Sequence, residues 1–264
     1  MEKETLRNIF TFIEEKEAHK TPFLWKLENN EPLTEDDLNV KGDLDLRKSK
    51  IISLPEGLEV KGSLYLRYCT SLTSLPEGLK VGNILNLYNC TNLTSLPEVL
   101  KVGGKLDLRN CTSLKSLPKD LKVGGSLDLT NCTSLTSLPE GLEVGEYLVL
   151  ENCTSLTSLP EGLEVKYGII LIGCKNLKYL PIGLKIEGRL DLENCKSLTY
   201  LPEGLKVGGY LDLSKCKSLT SLPKGLKVDN NLHIKKTPLE KFSDDELLDM
   251  IKPDGYIKGK ISRL

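Results

Sequence analysis

Apolar residues recur along the chain at an interval of about 21 positions. In the clearest copy, Val102 is followed by Leu106 and Leu108, which alternate with polar residues. Alternation with a period of two predicts a strand with one buried face, and a repeat of this length predicts a solenoid with one unit per coil. Because the copies are alike, their strands should align in register as a parallel sheet.

The same register occurs ten times between residues 40 and 242, which we interpret as the repeat array. The ten coils begin at Val40, Val60, Val81, Val102, Val123, Val144, Val165, Ile186, Val207 and Val228. In most coils a Cys follows the strand, and we call the stretch from this Cys to the Leu ten residues later the return segment. Its Leu-Pro-Glu-Gly-Leu sequence predicts an extended or turn-like path, because proline fixes φ and lacks a donor. Val99 and Asp120 replace the glycine, so we expect that this position does not strictly require a glycine conformation.

Residues 1–39 predict a helical cap in front of the array. Apolar residues at helical spacing between Glu2 and Glu17 predict an amphipathic helix. A second short helix should begin at Pro22 with Thr21 as its N-cap, and Thr34 should cap one further helical turn. Helices here would cover the open hydrophobic end of the first coil.

Residues 243–264 predict a second cap behind the array. Ser243 and Glu246 have the spacing of a capping box and predict a helix in place of a return segment. Residues 257–261 repeat the start of a coil and predict an eleventh strand at the edge of the sheet. The fold class expected from the whole pattern is an α/β repeat solenoid with helical caps.

Eight cysteines occupy one position of the repeat, each 21 residues after the last. They are Cys69, Cys90, Cys111, Cys132, Cys153, Cys174, Cys195 and Cys216. Neighbouring copies would lie about 5 Å apart with parallel Cβ vectors, which suits stacking better than the disulfide geometry. We therefore predict buried, reduced thiols that act as small apolar groups and weak donors. The only histidines are His19 and His233, and we expect neither a metal nor a cofactor.

The composition excludes several classes of function. Lys and Arg number 36 against 37 Asp and Glu, so the net charge gives no reason to expect nucleic acid or an anionic membrane as a partner. Apolar runs of signal-peptide or membrane-spanning length are absent from the sequence. We expect a cytoplasmic monomer.

The coil from Leu106 to Cys111 resembles the leucine-rich repeat motif, with Cys in its Asn/Cys slot, although Gly103 stands where the family's first Leu is usual. The Leu-Pro-x-Gly-Leu return is similar to the short-repeat bacterial class, which includes LPX effectors injected by type III secretion. The resemblance implies a horseshoe with a parallel concave β-sheet, an irregular convex side and helical caps. It also implies a protein-binding module, which could be an intracellular adaptor or an effector secreted without a cleavable signal peptide.

Side chains between the buried leucines should face out of the sheet, where Asp is the usual residue. One stretch replaces these aspartates with apolar residues flanked by charged and aromatic ones, which is typical of an interaction site. The residues of this central patch are Tyr147, Val149, Ile170, Ile172, Arg189, Asp191 and Tyr210. Local drift of a duplicated repeat, or the preference of Ile for sheets, is the alternative explanation.

A second patch lies near the start of the array and is both basic and aromatic. Its residues are Arg47, Tyr65, Arg67, Tyr88 and Arg109. Such a basic-aromatic patch could receive an acidic partner or a phosphate group, and an ordinary solvated face is the alternative.

Stacked aspartates raise a competing hypothesis. Asp107 with Asp128, and Asp191 with Asp212, should lie about one strand spacing apart, which suits carbohydrate cleavage, carbohydrate binding or a weak calcium site. The basic residues expected to neutralise them are Lys105, Arg109 and Arg189. We therefore predict no catalytic residues and no enzyme, and a purely structural repeat protein is also left open.

Overall fold

A computed structural model describes residues 22–29 and 31–263 of the chain. The helix predicted between Glu2 and Glu17 lies outside the described residues, as does Thr21, the predicted cap of the next helix. The described residues contain three α-helices and one 3-10 helix, which lie before the first strand or from the last coil onward: α1 (Pro22–Glu28), α2 (Glu35–Leu38), the 3-10 helix (Pro238–Lys241) and α3 (Asp244–Met250).

The two predicted capping residues begin helices. The side chain of Thr34 accepts a hydrogen bond from the backbone N–H of Asp37 at the start of α2, and Ser243 accepts one from Glu246 at the start of α3. In both cases the acidic side chain accepts a hydrogen bond from the backbone N–H of the capping residue, which completes a capping box. A helix that could cross a bilayer is not found in residues 22–29 and 31–263.

Each coil contributes two short strands rather than one. The strands are β1 (Asn39–Val40), β2 (Leu44–Asp45), β3 (Glu59–Val60), β4 (Leu64–Tyr65), β5 (Lys80–Val81), β6 (Leu85–Asn86), β7 (Lys101–Val102), β8 (Leu106–Asp107), β9 (Lys122–Val123), β10 (Leu127–Asp128), β11 (Glu143–Val144), β12 (Tyr147–Val149), β13 (Glu164–Val165), β14 (Gly168–Ile170), β15 (Lys185–Ile186), β16 (Arg189–Asp191), β17 (Lys206–Val207), β18 (Leu211–Asp212), β19 (Lys227–Val228), β20 (Leu232–His233), β21 (Tyr256–Ile257) and β22 (Ile261–Ser262).

The even-numbered strands form one parallel sheet of eleven strands in sequence order. Backbone hydrogen bonds join each coil to the next in this sheet. For example, the N–H of Leu106 donates to the backbone oxygen of Ser126 at 3.0 Å, and the N–H of Leu108 donates to the backbone oxygen of Asp128 at 2.8 Å. The predicted parallel sheet is therefore confirmed. Its eleventh strand is β22, which lies at the end of the predicted 257–261 stretch. The two share only Ile261.

The odd-numbered strands were not predicted. They form a sheet of seven strands, β1 to β13, and a sheet of four, β15 to β21. Each contains only two residues, usually Lys or Glu followed by Val. Each odd-numbered strand usually carries one apolar residue and lacks the alternating leucine pair of the main strand, so the sequence pattern did not indicate it.

The core of the solenoid consists of the repeated Val, Leu and Cys side chains, most of which are fully buried. All eight cysteines are buried and unpaired, as predicted. Each thiol donates to the carbonyl oxygen of the second strand Leu in the preceding coil, as in the 3.2 Å contact from Cys111 to Leu87. The cysteine column therefore links neighbouring coils through their backbone as well as filling the core.

Candidate functional site

The outward-facing side chains of the eleven-stranded sheet form what we call the front face. Strand pairing places Tyr147 beside Gly168 and Gly168 beside Arg189. In the next row Val149 lies beside Ile170, which lies beside Asp191. The in-register stack therefore brings the central patch together, as its spacing in the sequence predicts.

Arg189 is held between two tyrosines on the front face. Its Cζ lies 5.4 Å from the ring centroid of Tyr147 and 5.9 Å from that of Tyr210, and its Nη1 donates to the Tyr210 hydroxyl at 3.3 Å. Both distances suit cation–π attraction. The Nε of Arg189 is buried and finds no hydrogen-bond partner among the described residues.

Gly168 allows this arrangement. It lies in the strand between Tyr147 and Arg189, and a Cβ at this position would lie 2.6 Å from the backbone oxygen and 3.0 Å from the Cγ of Arg189. Because the glycine has no side chain, the guanidinium reaches across its strand toward the Tyr147 ring.

The apolar part of the patch is only partly covered by its neighbours. Val149, Ile170 and Ile172 are half-buried, and 37% of Tyr147 is exposed. Tyr167 extends the patch, with its ring centroid 5.8 Å from that of Tyr147 and 43% of its surface exposed. Tyr167 was not among the predicted site residues, although it departs from the Gly or Asn that most coils carry at its position.

Asp191 is buried at the edge of this patch, and it forms no ion pair with the described residues. Burial raises its pKa to about 6. The negative charges of Asp212 and Glu193 also raise the pKa, whereas one hydrogen bond from the backbone N–H of Glu193 lowers it. Arg189 forms no ion pair with Asp191 or Asp212 in the described structure, and its charge lowers the pKa of Asp191 without outweighing burial, so the neutralisation predicted for this pair is only partial. Its guanidinium is directed to the tyrosine rings instead.

Asp107 occupies the same column four coils earlier in a contrasting environment. Burial alone would raise its pKa, but the hydrogen bond and charge of Arg109 and the charge of Lys105 outweigh burial and lower it. The Asp107 carboxylate lies 2.6 Å from Nη2 of Arg109 and 3.7 Å from Nζ of Lys105, which also lies 3.4 Å from Asp128. The predicted neutralisation is therefore confirmed for this aspartate pair.

The basic-aromatic patch is also assembled. The Cζ of Arg67 lies 5.3 Å from the ring centroid of Tyr88, and the Cζ of Arg109 lies 5.1 Å from the same centroid. Tyr68, which was not among the predicted residues, packs edge-on against Tyr88 with ring centroids 5.2 Å apart. The nearby Tyr65 is half-buried.

Two of the three arginines of this patch are neutralised within the patch. Arg47 is paired with Asp45 at 2.6 Å, and Arg109 is paired with Asp107. Arg67 is thus the arginine of this patch without an ion-pair partner in the described part of the chain. One uncompensated arginine is a weaker case for an acidic ligand than the three that the sequence presents.

Other chemistry is not assembled elsewhere in the described residues. A group of three or more His, Cys, Asp or Glu side chains arranged for a metal is not found there. A cleft of about 740 Å³ lies where β13 and β15 fail to pair, and none of its lining residues belongs to either predicted patch. Burial raises the pKa of each cysteine in the column, to about 12 at Cys174, which disfavours the thiolate a nucleophile needs.

Comparison with known proteins gives no assignment. No protein-family model matches the chain, and a search of the curated proteins finds no match. The geometry of the front face is therefore what bears on function.

Proposed function

We propose that the chain is a leucine-rich repeat protein of the short-repeat class, and that the eleven-stranded sheet is the concave side of a horseshoe. The 21-residue coil with Cys in the family's Asn/Cys slot supports this assignment. We also propose that the flanking helices act as caps. Burial of Phe23 from α1, of Leu247 from α3 and of Ile251, which follows α3, against the core supports that role.

We propose further that the protein is a non-enzymatic binding module whose partner is another protein. The observation that carries this proposal is the central patch, where half-buried aliphatic side chains lie beside an arginine fixed between Tyr147 and Tyr210. Tyrosine and arginine are the residue types that most often anchor protein interfaces. Because the Arg189 side chain is already restrained by two rings, less conformational entropy is lost when a partner orders it.

The family resemblance adds a proposal about setting. An intracellular adaptor and a bacterial effector both need a rigid binding surface, and the reduced thiol column suits a reducing compartment such as the cytoplasm. A cytoplasmic location, in the producing cell or in a host cell, is the proposal that follows.

A capture experiment with a matched variant tests the binding proposal. The variant is Val149→Thr, Ile170→Thr, Ile172→Thr, because threonine retains sheet propensity while the apolar surface is lost. The control is Asn86→Asp, which places the usual aspartate at the same column outside the patch. Circular dichroism should first show that both variants melt like the wild type.

A partner identified by mass spectrometry should bind the wild type and the control, and should lose at least about tenfold in affinity for the triple variant when purified components are titrated. Equal binding to all three proteins would remove the central patch from the proposal.

A second candidate function rests on Asp191. A buried carboxyl group with a pKa of about 6, one strand from the carboxylate of Asp212, is a feature of carbohydrate-cleaving sites. A hydrolase would release product from a panel of polysaccharides and would lose this activity in Asp191→Asn but retain it in Asp107→Asn. Absence of product from the wild type would dismiss this candidate.

A further inference from the structure

The return segments change character in the last third of the array. Five consecutive segments, from residues 69–79 to 153–163, contain two lysines and five acidic residues, a net charge of −3. The next three, residues 174–184, 195–205 and 216–226, contain five lysines and one glutamate, a net charge of +4. The nearly neutral chain therefore carries a local basic surface that its total charge conceals.

The lysines of this surface are free to meet a ligand. They are Lys175, Lys178, Lys196, Lys217 and Lys224, and all five are exposed. None of them forms an ion pair with the described residues, in contrast to Lys215 on the front face, which contacts Glu193 at 2.5 Å. Three of them follow Cys at the same position of consecutive coils, where the five preceding coils have threonine.

Two tyrosines lie on the same return segments. Tyr179 and Tyr200 replace the serine of other coils, and they are 43% and 54% exposed. Their rings are nearly parallel, with an angle of 10° between planes and centroids 6.4 Å apart. Ile182, 80% exposed, replaces the usual Glu or Lys beside them. Exposed aromatic and apolar side chains are costly to keep on a surface that binds nothing.

Two consecutive coils carry the same pair of a lysine and an exposed tyrosine. Coils seven and eight each present one lysine after the Cys and one exposed tyrosine ring at the same two positions, with the neighbouring backbones aligned by the contact from the Thr199 N–H to the Lys178 oxygen. A ligand that matches this surface has one planar group and one negative charge per unit along an extended chain. Single-stranded nucleic acid has this chemistry, since its bases stack on aromatic side chains while lysines neutralise its phosphates.

We propose that the return segments of coils seven to nine bind single-stranded nucleic acid without sequence preference. This surface lies on the return segments rather than on the eleven-stranded sheet, so it is independent of the protein-binding proposal for the front face. An acidic polypeptide would meet the lysines but would leave the two rings without a stacking partner, which makes it the weaker match.

The test uses fluorescence anisotropy with a labelled thymidine homopolymer of about 12 nucleotides, titrated with the full chain at roughly 50 to 200 mM salt. Three contacted phosphates predict a slope of about −2 in log K against log salt. The first variant, Tyr179→Ser with Tyr200→Ser, should weaken binding by at least about tenfold. The second, with Lys175, Lys196 and Lys217 changed to Thr, should weaken binding and abolish most of the salt slope.

Both variants carry residues that other coils already have at these positions, so they should fold like the wild type. The matched control changes Lys101, Lys115 and Lys119 to Thr, which removes the same charge outside coils seven to nine and should bind within about twofold of the wild type. The proposal is overturned if the wild type does not bind the oligonucleotide at the lowest salt, or if the tyrosine variant binds equally well. It is also overturned if polyglutamate of equal charge displaces the oligonucleotide as effectively as unlabelled thymidine polymer does.

Discussion

Replacing Asp191 with asparagine should stabilise the protein at neutral pH, whereas the same change at Asp107 should destabilise it. The two aspartates occupy the same column of the same sheet and differ in their surroundings. Asp107 binds Arg109, while Asp191 accepts only a backbone N–H from Glu193 and lies beside the carboxylate of Asp212. The sign of the effect therefore depends on the neighbours and not on the fold.

The magnitude for Asp191 follows from its pKa. The difference between about 6 in the folded protein and 3.8 ordinarily corresponds to about 3 kcal/mol once both states are ionised. Because the unfolded chain releases its proton first, this carboxyl favours folding below about pH 4 and loses that contribution as the pH rises through about 6. Asparagine does not ionise, so Asp191→Asn should gain about 1–3 kcal/mol at neutral pH and nothing near pH 4.

Asp107 has the opposite linkage. Its pKa is lowered, so its stabilising contribution is present above the ordinary pKa and is lost only as the pH falls below that value. Removing a charged hydrogen-bond partner from Arg109 should cost about 1–2 kcal/mol, since that arginine is partly solvated.

Urea unfolding followed by circular dichroism, at about pH 7.5 and about pH 4.5, measures both effects. At the higher pH the midpoint should rise for Asp191→Asn and fall for Asp107→Asn, and at the lower pH the gain at Asp191 should shrink. If both variants unfold at lower urea at about pH 7.5, the assigned environment of Asp191 is incorrect. If Asp191→Asn gave the same gain in stability at both pH values, the ionisation of Asp191 would not be the cause of that gain.

Two further predictions concern the repeated framework. The eight thiols should not react with a disulfide reagent in the native protein at pH 8, and all should react after unfolding, because burial raises the pKa of thiols such as Cys174 to about 12; rapid labelling of the native protein would contradict this burial. Lys48→Asn and Asp120→Gly should each raise the free energy of unfolding by about 0.5–1 kcal/mol in the same urea assay, because both residues have left-handed φ angles, 61° and 55°, that Asn and Gly adopt at lower cost. Unchanged or lower midpoints would show that these backbones relax.

The main sheet and the coil boundaries could be predicted because the same local rule is repeated ten times. Alternating leucines specify a buried face, and copies 21 residues apart leave little freedom of register. The glycine of the return segment is replaced in two coils, from which we expected that its position does not strictly require a glycine conformation. Val99 confirms this because it has no positive φ, whereas Asp120 retains a positive φ like the glycines.

The composition of the central patch could be predicted, but its electrostatics could not. Spacing alone places Arg189 beside Asp191 and suggests an ion pair. Which way a long side chain turns depends on the space around it, and the absent side chain of Gly168 opens the path toward Tyr147. A single missing Cβ thus leaves Asp191 without an ion pair in the described structure, although an arginine lies two residues away.

The repeat itself supplies a reason to assign function to the departures from it. Independent drift would scatter unusual residues singly over the coils, with no preference for contact between them. In this chain the departures meet across coils, as Arg189 meets Tyr147 and Tyr210 on the front face and Tyr179 meets Tyr200 on the return segments. Residues 21 or 42 positions apart that change together into complementary neighbours are what a binding surface requires, because a partner spans several coils at once. Sheet propensity accounts for an isoleucine in a strand, but it does not account for paired aromatic rings on segments that form no strand.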